Sequence, residues 1–496
     1  MAAAFDRLQN IFADFHAIGT ANQILGWDRQ VMMPQGGAAA RTRVTGHLTR
    51  MAHEILTGNE LSKALSEAKA EAESDEEKAT IRVLQRDVDT ATKIPIELVI
   101  AKSKVSNDAY EVWKKAKAES NFSLLAPYLK ELFDIARSTA ESLGYTDHVY
   151  DPLIDMYEEG ATQKSASDMF EAIKSPIVEL VKQISKSGKP INDDPLRGGW
   201  DLEAQRKFAQ GAASAIGFDF RRGRLDIAPN AFCSSSSSDD VRMTTRASDH
   251  LKGIVSSSLH EMGHGLYEQG VSPRFDGTPL GGGVSLAVHE SQSRLWENIV
   301  GRSEGFWTFF APSLHAALPD LSGFNGRELS HMLCKVEPTF IRVGADELTY
   351  NLHILIRFEL EVEILTGAIN IADLPEAWNH KYETYLGIRP PSDALGCLQD
   401  VHWSRGSIGY FPTYSMGNLI GAQIWEKLCQ DLGDPEPLVA SGNFAPILGW
   451  LSERIYQPGQ SFTPKDLVTQ VTGKPMQPDA WLRYAKTRYQ KVYDLN

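Results

Sequence analysis

"SSSLHEMGHGLYEQG", residues 256–270, sets His260 and His264 four apart among small and apolar residues, with Glu261 directly after the first histidine. Together with the preceding "DHLKGIVSSSL" the spacing is helical, and residues four apart on a helix share a face, one turn above the other. Two neutral imidazoles so placed can hold one divalent ion. The neighbouring carboxylate faces the ion's open position, where it can take a proton from a water attacking a carbonyl. The motif is short enough to arise by chance. Its meaning turns on a third ligand, because a tetrahedral centre with one open position needs three.

A second helical stretch, "VSLAVHESQSRLWENIVG" from Val284, follows one glycine-rich loop later. Glu290 sits there among Leu286, Ala287 and Leu295 and would be costly to bury without a partner, which favours it as a ligand. His289 competes. Successive helical positions diverge by about 100°, so the two cannot easily face the same ion. The residues alone favour Glu290 and leave His289 open.

The whole chain suits such a site. Its 496 residues are 42% hydrophobic and 23% charged, a globular composition rather than a disordered one. Lys and Arg number 50 against 64 Asp and Glu, a formal charge of −14 that argues against nucleic acid or an anionic membrane as the main partner. A peptide substrate stays open. The four cysteines, Cys233, Cys334, Cys397 and Cys429, are dispersed and form no CxxC pair, so reduced thiols are expected. The N-terminal "MAAAFDRLQNIFADFHAIG" breaks its apolar residues with Asp6, Arg7, Asp14 and His16, unlike a secretion signal. No apolar run is long enough to span a bilayer, and a cytoplasmic location is expected.

Helical periodicity dominates elsewhere. Residues 59–94 place Leu61, Leu65, Ala68 and Ala72 on one face, then Ile81, Leu84 and Val88, which predicts two packed amphipathic helices. Similar patterns recur through 120–145, 162–187 and 202–216. Residues 224–246, "RLDIAPNAFCSSSSSDDVRMTTR", read instead as a short hairpin or small sheet, with Ser234–Ser238 as a flexible loop and "VRMTT" as a strand whose exposed edge can pair with a peptide backbone. The expected fold is mainly α with a small β-sheet near 224–246. The Pro/Gly clusters at 188–199 and 270–283 read as loops, so residues 1–496 are taken as one catalytic domain.

Motifs in fixed order then carry a resemblance. "HEMGH" and "HESQS", with "DVRMT" (240–244), "IRVGAD" (341–346) and "GCLQDVHW" (396–403), resemble the carboxypeptidase Taq family of metallocarboxypeptidases. The likeness runs almost end to end, through "GWDRQVMMPQGGAAAR", "GFDFRRGRLD", "GYFPTYSMGNL" and "WLSERIYQPGQ". It implies a helical protein in two halves around a deep cleft, a zinc or cobalt ion, a homodimer, and release of single residues from peptides with a free C-terminal carboxylate, with broad specificity.

In that reading His260, His264 and Glu290 hold the metal and Glu261 is the general base. His402 and Tyr414, with Tyr410 close behind, supply donors for the oxyanion or the substrate backbone. Arg342 is the first choice for the terminal carboxylate and Arg242 the second, although Asp240 beside Arg242 suits a structural ion pair equally well. Arg405 is a weaker candidate. Asp346 and Asp400 are read as loop-holding or orienting groups, and Trp296, Trp403 and Trp425 as core. One departure stands out: the family usually has His-Pro-Phe ahead of the Asp-x-Arg-x-Thr motif, and this chain has Asn230-Ala231-Phe232. A metal-dependent oligopeptidase or dipeptidase, and a non-catalytic peptide-binding relative, are the competing readings.

Overall fold

The computed structural model describes residues 2–495, mostly as helices, with one three-stranded sheet among the described residues. The periodic segment at 59–94 forms two helices, Asn59–Glu71 and Asp75–Lys93. Leu61, Ala64, Leu65 and Ala68 of the first and Ile81, Leu84 and Val88 of the second are buried against Leu8 and Phe12 of the Ala2–Val31 helix. Asp75, Glu76 and Glu77 fill the first turn of their helix, where negative charge suits the unpaired N–H groups. The other periodic segments become the helices Ala126–Leu143, Gln163–Lys186 and Leu202–Ile216. Thr162 starts the second of these through a capping box and Asp201 caps the third.

The sheet corrects two expectations. Its strands are β1 (Gly223–Ile227), β2 (Cys233–Ser237) and β3 (Asp240–Thr245), in the order β1-β3-β2. β3 runs parallel to β1, with Leu225 opposite Met243, and antiparallel to β2, with Cys233 opposite Met243 and Ser234 opposite Arg242. "VRMTT" is therefore the central strand, without a free edge, and the serine run is the edge strand rather than a loop. Backbone groups make the ladder, so short polar side chains do not prevent it. The turn into β3 is fixed by the Asp276 carboxylate, which accepts from the Ser238 backbone N–H and from its hydroxyl at 2.9 and 2.8 Å.

The chain divides into two compact units. The first runs up to Thr92 and takes in Asn192–Leu333 and Ile420–Pro475. Its centre is the helix Leu251–Gly270, which packs on β2, β3, the helix Leu202–Ile216 and the helix Leu286–Arg294. The second comprises Lys93–Ile191, Cys334–Leu419 and the chain from Met476. At its core lies the helix Glu347–Thr366, buried along almost its whole length and packed by Ala126–Leu143, Gln163–Lys186 and Leu374–Leu386. Trp296 and Trp403 are core residues, and Trp425 is half-buried. All four cysteines are free thiols. No described helix is long and apolar enough to cross a membrane.

Candidate functional site

In the first unit the helices Leu251–Gly270 and Leu286–Arg294 bring three donors together. His260 Nε2 lies 3.4 Å and His264 Nε2 3.5 Å from Glu290 Oε2. Ligand atoms about 2.0–2.1 Å from a tetrahedral centre stand about 3.3 Å apart, so the spacing fits one divalent ion. Two imidazoles and a carboxylate are a donor set for a transition metal or zinc rather than for calcium or magnesium. Among the described residues these three form the group able to hold an ion.

The surroundings orient each ligand. His260 Nδ1 donates to Glu297 Oε2 at 2.9 Å, which leaves Nε2 with its lone pair toward Glu290. Arg294 Nε donates to Glu290 Oε1 at 2.7 Å and Arg294 Nη1 to Glu297 Oε2 at 3.1 Å, while the Ser293 hydroxyl donates to Glu290 Oε2 at 3.0 Å. His289 points away from the centre. Its Nε2 lies 2.6 Å from Glu268 Oε1 and its Nδ1 2.5 Å from His264 Nδ1. With neutral rings one proton arrangement satisfies this chain: His289 donates to the carboxylate, His264 donates to His289, and His264 Nε2 keeps its lone pair. His289 thus holds His264 where the sequence had left it as a rival to Glu290.

Electrostatics sharpen the contrast between the carboxylates. Burial raises Glu290, but Arg294 and the histidines outweigh it and hold the group well below the usual range. Glu297 is lowered to about 2 by Arg294 and His260 against the same burial. Glu261 is buried and is pushed up to about 7 by burial and by Glu290 and Glu297, partly offset by His260. A carboxylate so raised is suited to accept a proton near neutral pH.

The sheet borders a cavity of about 640 Å³ in the same unit, lined among others by Phe12, Asp87, Ser235, Glu268, Asp276 and His289. The β2 residues Cys233–Ser237 line it, and no described strand pairs with the outer side of β2. Arg242 holds Asp240 in a two-pronged pair, 2.8 Å for each bond, and lies over the Trp27 ring at 4.6 Å. Asn230-Ala231-Phe232 leads into β2 and is stapled to β3 by Thr244, whose hydroxyl accepts from Phe232 N at 2.8 Å. The Asn230 side chain is exposed.

The second unit joins the motifs "IRVGAD" and "GCLQDVHW". Arg342, 5% exposed, donates from Nε and Nη2 to Asp400 Oδ1 at 3.0 and 2.8 Å and from Nη1 to the Tyr350 hydroxyl at 2.9 Å. Arg357, fully buried, donates to Asp400 Oδ2 at 2.6 Å. Two guanidinium groups share one carboxylate, so the cluster keeps a surplus positive charge, and Asp400 lies far below the ordinary carboxylate range despite burial. His402 is lowered to about 3 by burial and by Arg342, and therefore works as a neutral imidazole. Its Nε2 is 3.2 Å from the Tyr414 hydroxyl. Tyr410 and Tyr414 pack edge to face, ring centres 5.3 Å apart. Asp346 caps the helix that follows, accepting from Leu348 N and Thr349 N. Arg405 lies over the Tyr110 ring at 4.8 Å.

Sequence reading missed Glu268, Arg294 and Glu297. The signal was present: Glu268 stands four residues beyond His264 on the same helix face, and Glu290, Arg294 and Glu297 recur at helical spacing.

Comparison with known proteins accords with this geometry. Residues 7–489 match the family model described as carboxypeptidase Taq (M32) metallopeptidase. The chain is 38% identical to thermostable carboxypeptidase 1 of Pyrococcus furiosus, over 95% of this chain and 96% of that one. It is 36% identical to thermostable carboxypeptidase 1 of Thermus thermophilus over 99% of each. The crystal structure of M32 carboxypeptidase from Deinococcus radiodurans matches with a TM-score of 0.96 at 36% identity, covering 99% of this chain and 100% of that one.

Proposed function

The chain belongs to the carboxypeptidase Taq (M32) metallopeptidases, and we propose that it releases single amino acids from the free C-termini of peptides, with one zinc or cobalt ion per chain. The carrying observation is the three-donor cluster of His260, His264 and Glu290 beside the buried carboxylate of Glu261. The ion, when bound, supplies Lewis acidity and brings the pKa of a water toward neutrality. Glu261 takes the proton of the attacking water and returns it to the leaving amine. His402 and Tyr414, with Tyr410, donate hydrogen bonds to the developing oxyanion or the peptide backbone.

Arg342 is assigned to the terminal carboxylate. Three of its five N–H groups are used by Asp400 and Tyr350, and one on each terminal nitrogen remains for a two-pronged contact. Arg242 takes a lesser part, because Asp240 occupies one edge of its fork. The outer edge of β2 offers backbone donors and acceptors to an extended peptide, which binds without reading side chains and so suits broad specificity.

The whole chain is taken as one catalytic domain acting in the cytoplasm as a homodimer. The helix Ala38–Leu56 supports the dimer: none of its residues is buried, and Val44 and Met51 are 50% and 37% exposed. Light scattering on the Val44→Glu protein, expected to be monomeric, checks that part.

The activity is tested with one N-blocked peptide, as free acid and as C-terminal amide, before and after chelation and metal return. Metal-dependent release from the acid alone is expected. Equal cleavage of the amide would replace the exopeptidase with an oligopeptidase, and no cleavage by the metal-loaded protein would leave only peptide binding.

A further inference from the structure

Glu361 lies on the helix Glu347–Thr366, is fully buried, and takes no part in the chemistry proposed above. Its carboxylate accepts three hydrogen bonds, all from neutral donors: Trp403 Nε1 at 2.7 Å on Oε1, and the Tyr150 hydroxyl at 2.7 Å and Gly409 N at 3.0 Å on Oε2. A buried carboxylate without a bonded cation is expensive, and an apolar side chain of similar volume would fill the space at less cost. What an apolar side chain cannot do is bind those donors.

The donors are placed tellingly. Trp403 adjoins His402 and Gly409 adjoins Tyr410, so one carboxylate ties both ends of the loop that runs between these two residues. Within the loop, Trp403–Arg405 makes one tight turn and Gly406 reverses the chain at φ +67°. Gly409, at φ +93°, lies against the Asp151–Asp155 helix, where a Cβ would stand 2.6 Å from the Leu153 carbonyl oxygen. Tyr150, the third donor, immediately precedes that helix. Glu361 thus pins the loop to the two segments that support it, adding directional bonds to the apolar packing of Trp403 on Phe133, Trp378 and Phe411.

We infer that Glu361 is a positioning residue: its carboxylate fixes the 402–410 loop and so aims His402 and Tyr410 at the substrate. The inference rests on the role proposed above for those two side chains. Glu361→Gln keeps the shape but turns an amide N–H₂ toward at least one of the three donors, which loosens one end of the loop.

The test compares Glu361→Gln, Tyr150→Phe, His402→Ala and Tyr410→Phe in the full-length, metal-loaded chain. For Glu361→Gln we expect kcat on the N-blocked free acid to fall about 10- to 100-fold, with KM within about threefold and bound metal unchanged. Hydrogen exchange should rise in residues 402–410 and stay constant in 256–270. Tyr150→Phe, which removes one donor to Glu361 and leaves the carboxylate and its other two bonds, should shift both readouts the same way by less. It decides the matter if Glu361→Gln does not fold. Normal exchange in 402–410 in the Tyr150→Phe protein would then sink the idea. Wild-type kcat in Glu361→Gln alongside impaired His402→Ala would remove the anchor and leave the loop's role standing. Wild-type kcat in all four would overturn both. Exchange rising throughout the chain, with parallel metal loss, would reduce Glu361 to a general structural residue.

Discussion

Gly263 rests against the backbone of Gln292: a Cβ at Gly263 would stand 2.6 Å from the Gln292 carbonyl oxygen and 2.6 Å from Ser293 Cα. The helix that carries both histidines therefore crosses the Glu290 helix backbone to backbone, one residue before His264. That close approach sets Glu290 Oε2 within 3.4 and 3.5 Å of the two imidazoles.

Gly263→Ala should force the helices apart. The expected loss is about 1–3 kcal/mol of stability, as for other overpacked positions, together with weaker metal binding. Thermal unfolding with and without metal, plus a competition titration with a chelator, measures both. Full metal affinity in a destabilised protein would show that the crossing serves folding only.

Glu261→Gln removes the proposed base and keeps every ligand. Turnover should fall by about 10²- to 10⁴-fold while the metal content per chain stays the same. Elemental analysis and single-peptide kinetics decide it, and retained turnover would take the proton-transfer role from Glu261.

Glu268→Gln acts through two residues. The amide can turn either its oxygen or its NH2 toward His289 Nε2, and its oxygen accepts more weakly than a carboxylate, so His289 is held less firmly as a donor and the proton on His264 Nδ1 is less fixed. Metal affinity should weaken by about 10- to 100-fold, with kcat near normal at saturating metal. Unchanged affinity would mean that the position of His264 is set by packing alone.

Arg342→Lys keeps a positive charge beside Asp400 and loses the fork. The preference for a free acid over an amide should shrink by about 10- to 100-fold in kcat/KM, mainly through KM. Because Arg357 still pairs with Asp400, the fold should survive. An undiminished preference would move the terminal carboxylate to another cation.

Glu361 also makes a pH prediction. Burial raises it from 4.5 to about 7, against the pull of its three donors. Below pH 4.5 it is protonated whether the chain is folded or not. Between 4.5 and about 7 the folded chain keeps a proton the unfolded chain has lost, so this group's contribution falls as pH rises and is gone above about 7, a swing of roughly 3 kcal/mol. The stability advantage of the wild type over Glu361→Gln should therefore be greater at pH 5 than at pH 8. Chemical denaturation at both pH values measures it, and a constant difference would place the Glu361 pKa near its ordinary value.

The helices and the shared face of His260 and His264 were legible in the sequence because both are local. The i, i+4 spacing of His260 and His264 fixes their shared face whatever surrounds them, and the apolar faces at 59–94 follow from the same 3.6-residue period. The strand order was not legible. Which of two short strands lies at the edge depends on pairing with β1, contributed from across an intervening segment, and the serine run carries no side-chain signature of a ladder made by backbone groups.

The sequence by itself determined a mainly helical protein and set His260, Glu261 and His264 on one stretch of helix, because helical geometry translates spacing directly into direction. Only the tertiary structure paired Arg342 and Arg357 on Asp400, placed His289 against His264, and joined Glu361 to Trp403 and Gly409 of the 402–410 loop. Each of those depends on which polar group, far away or near in the chain, reaches a fork, a ring nitrogen or a carboxylate first, and that is settled by packing rather than by periodicity.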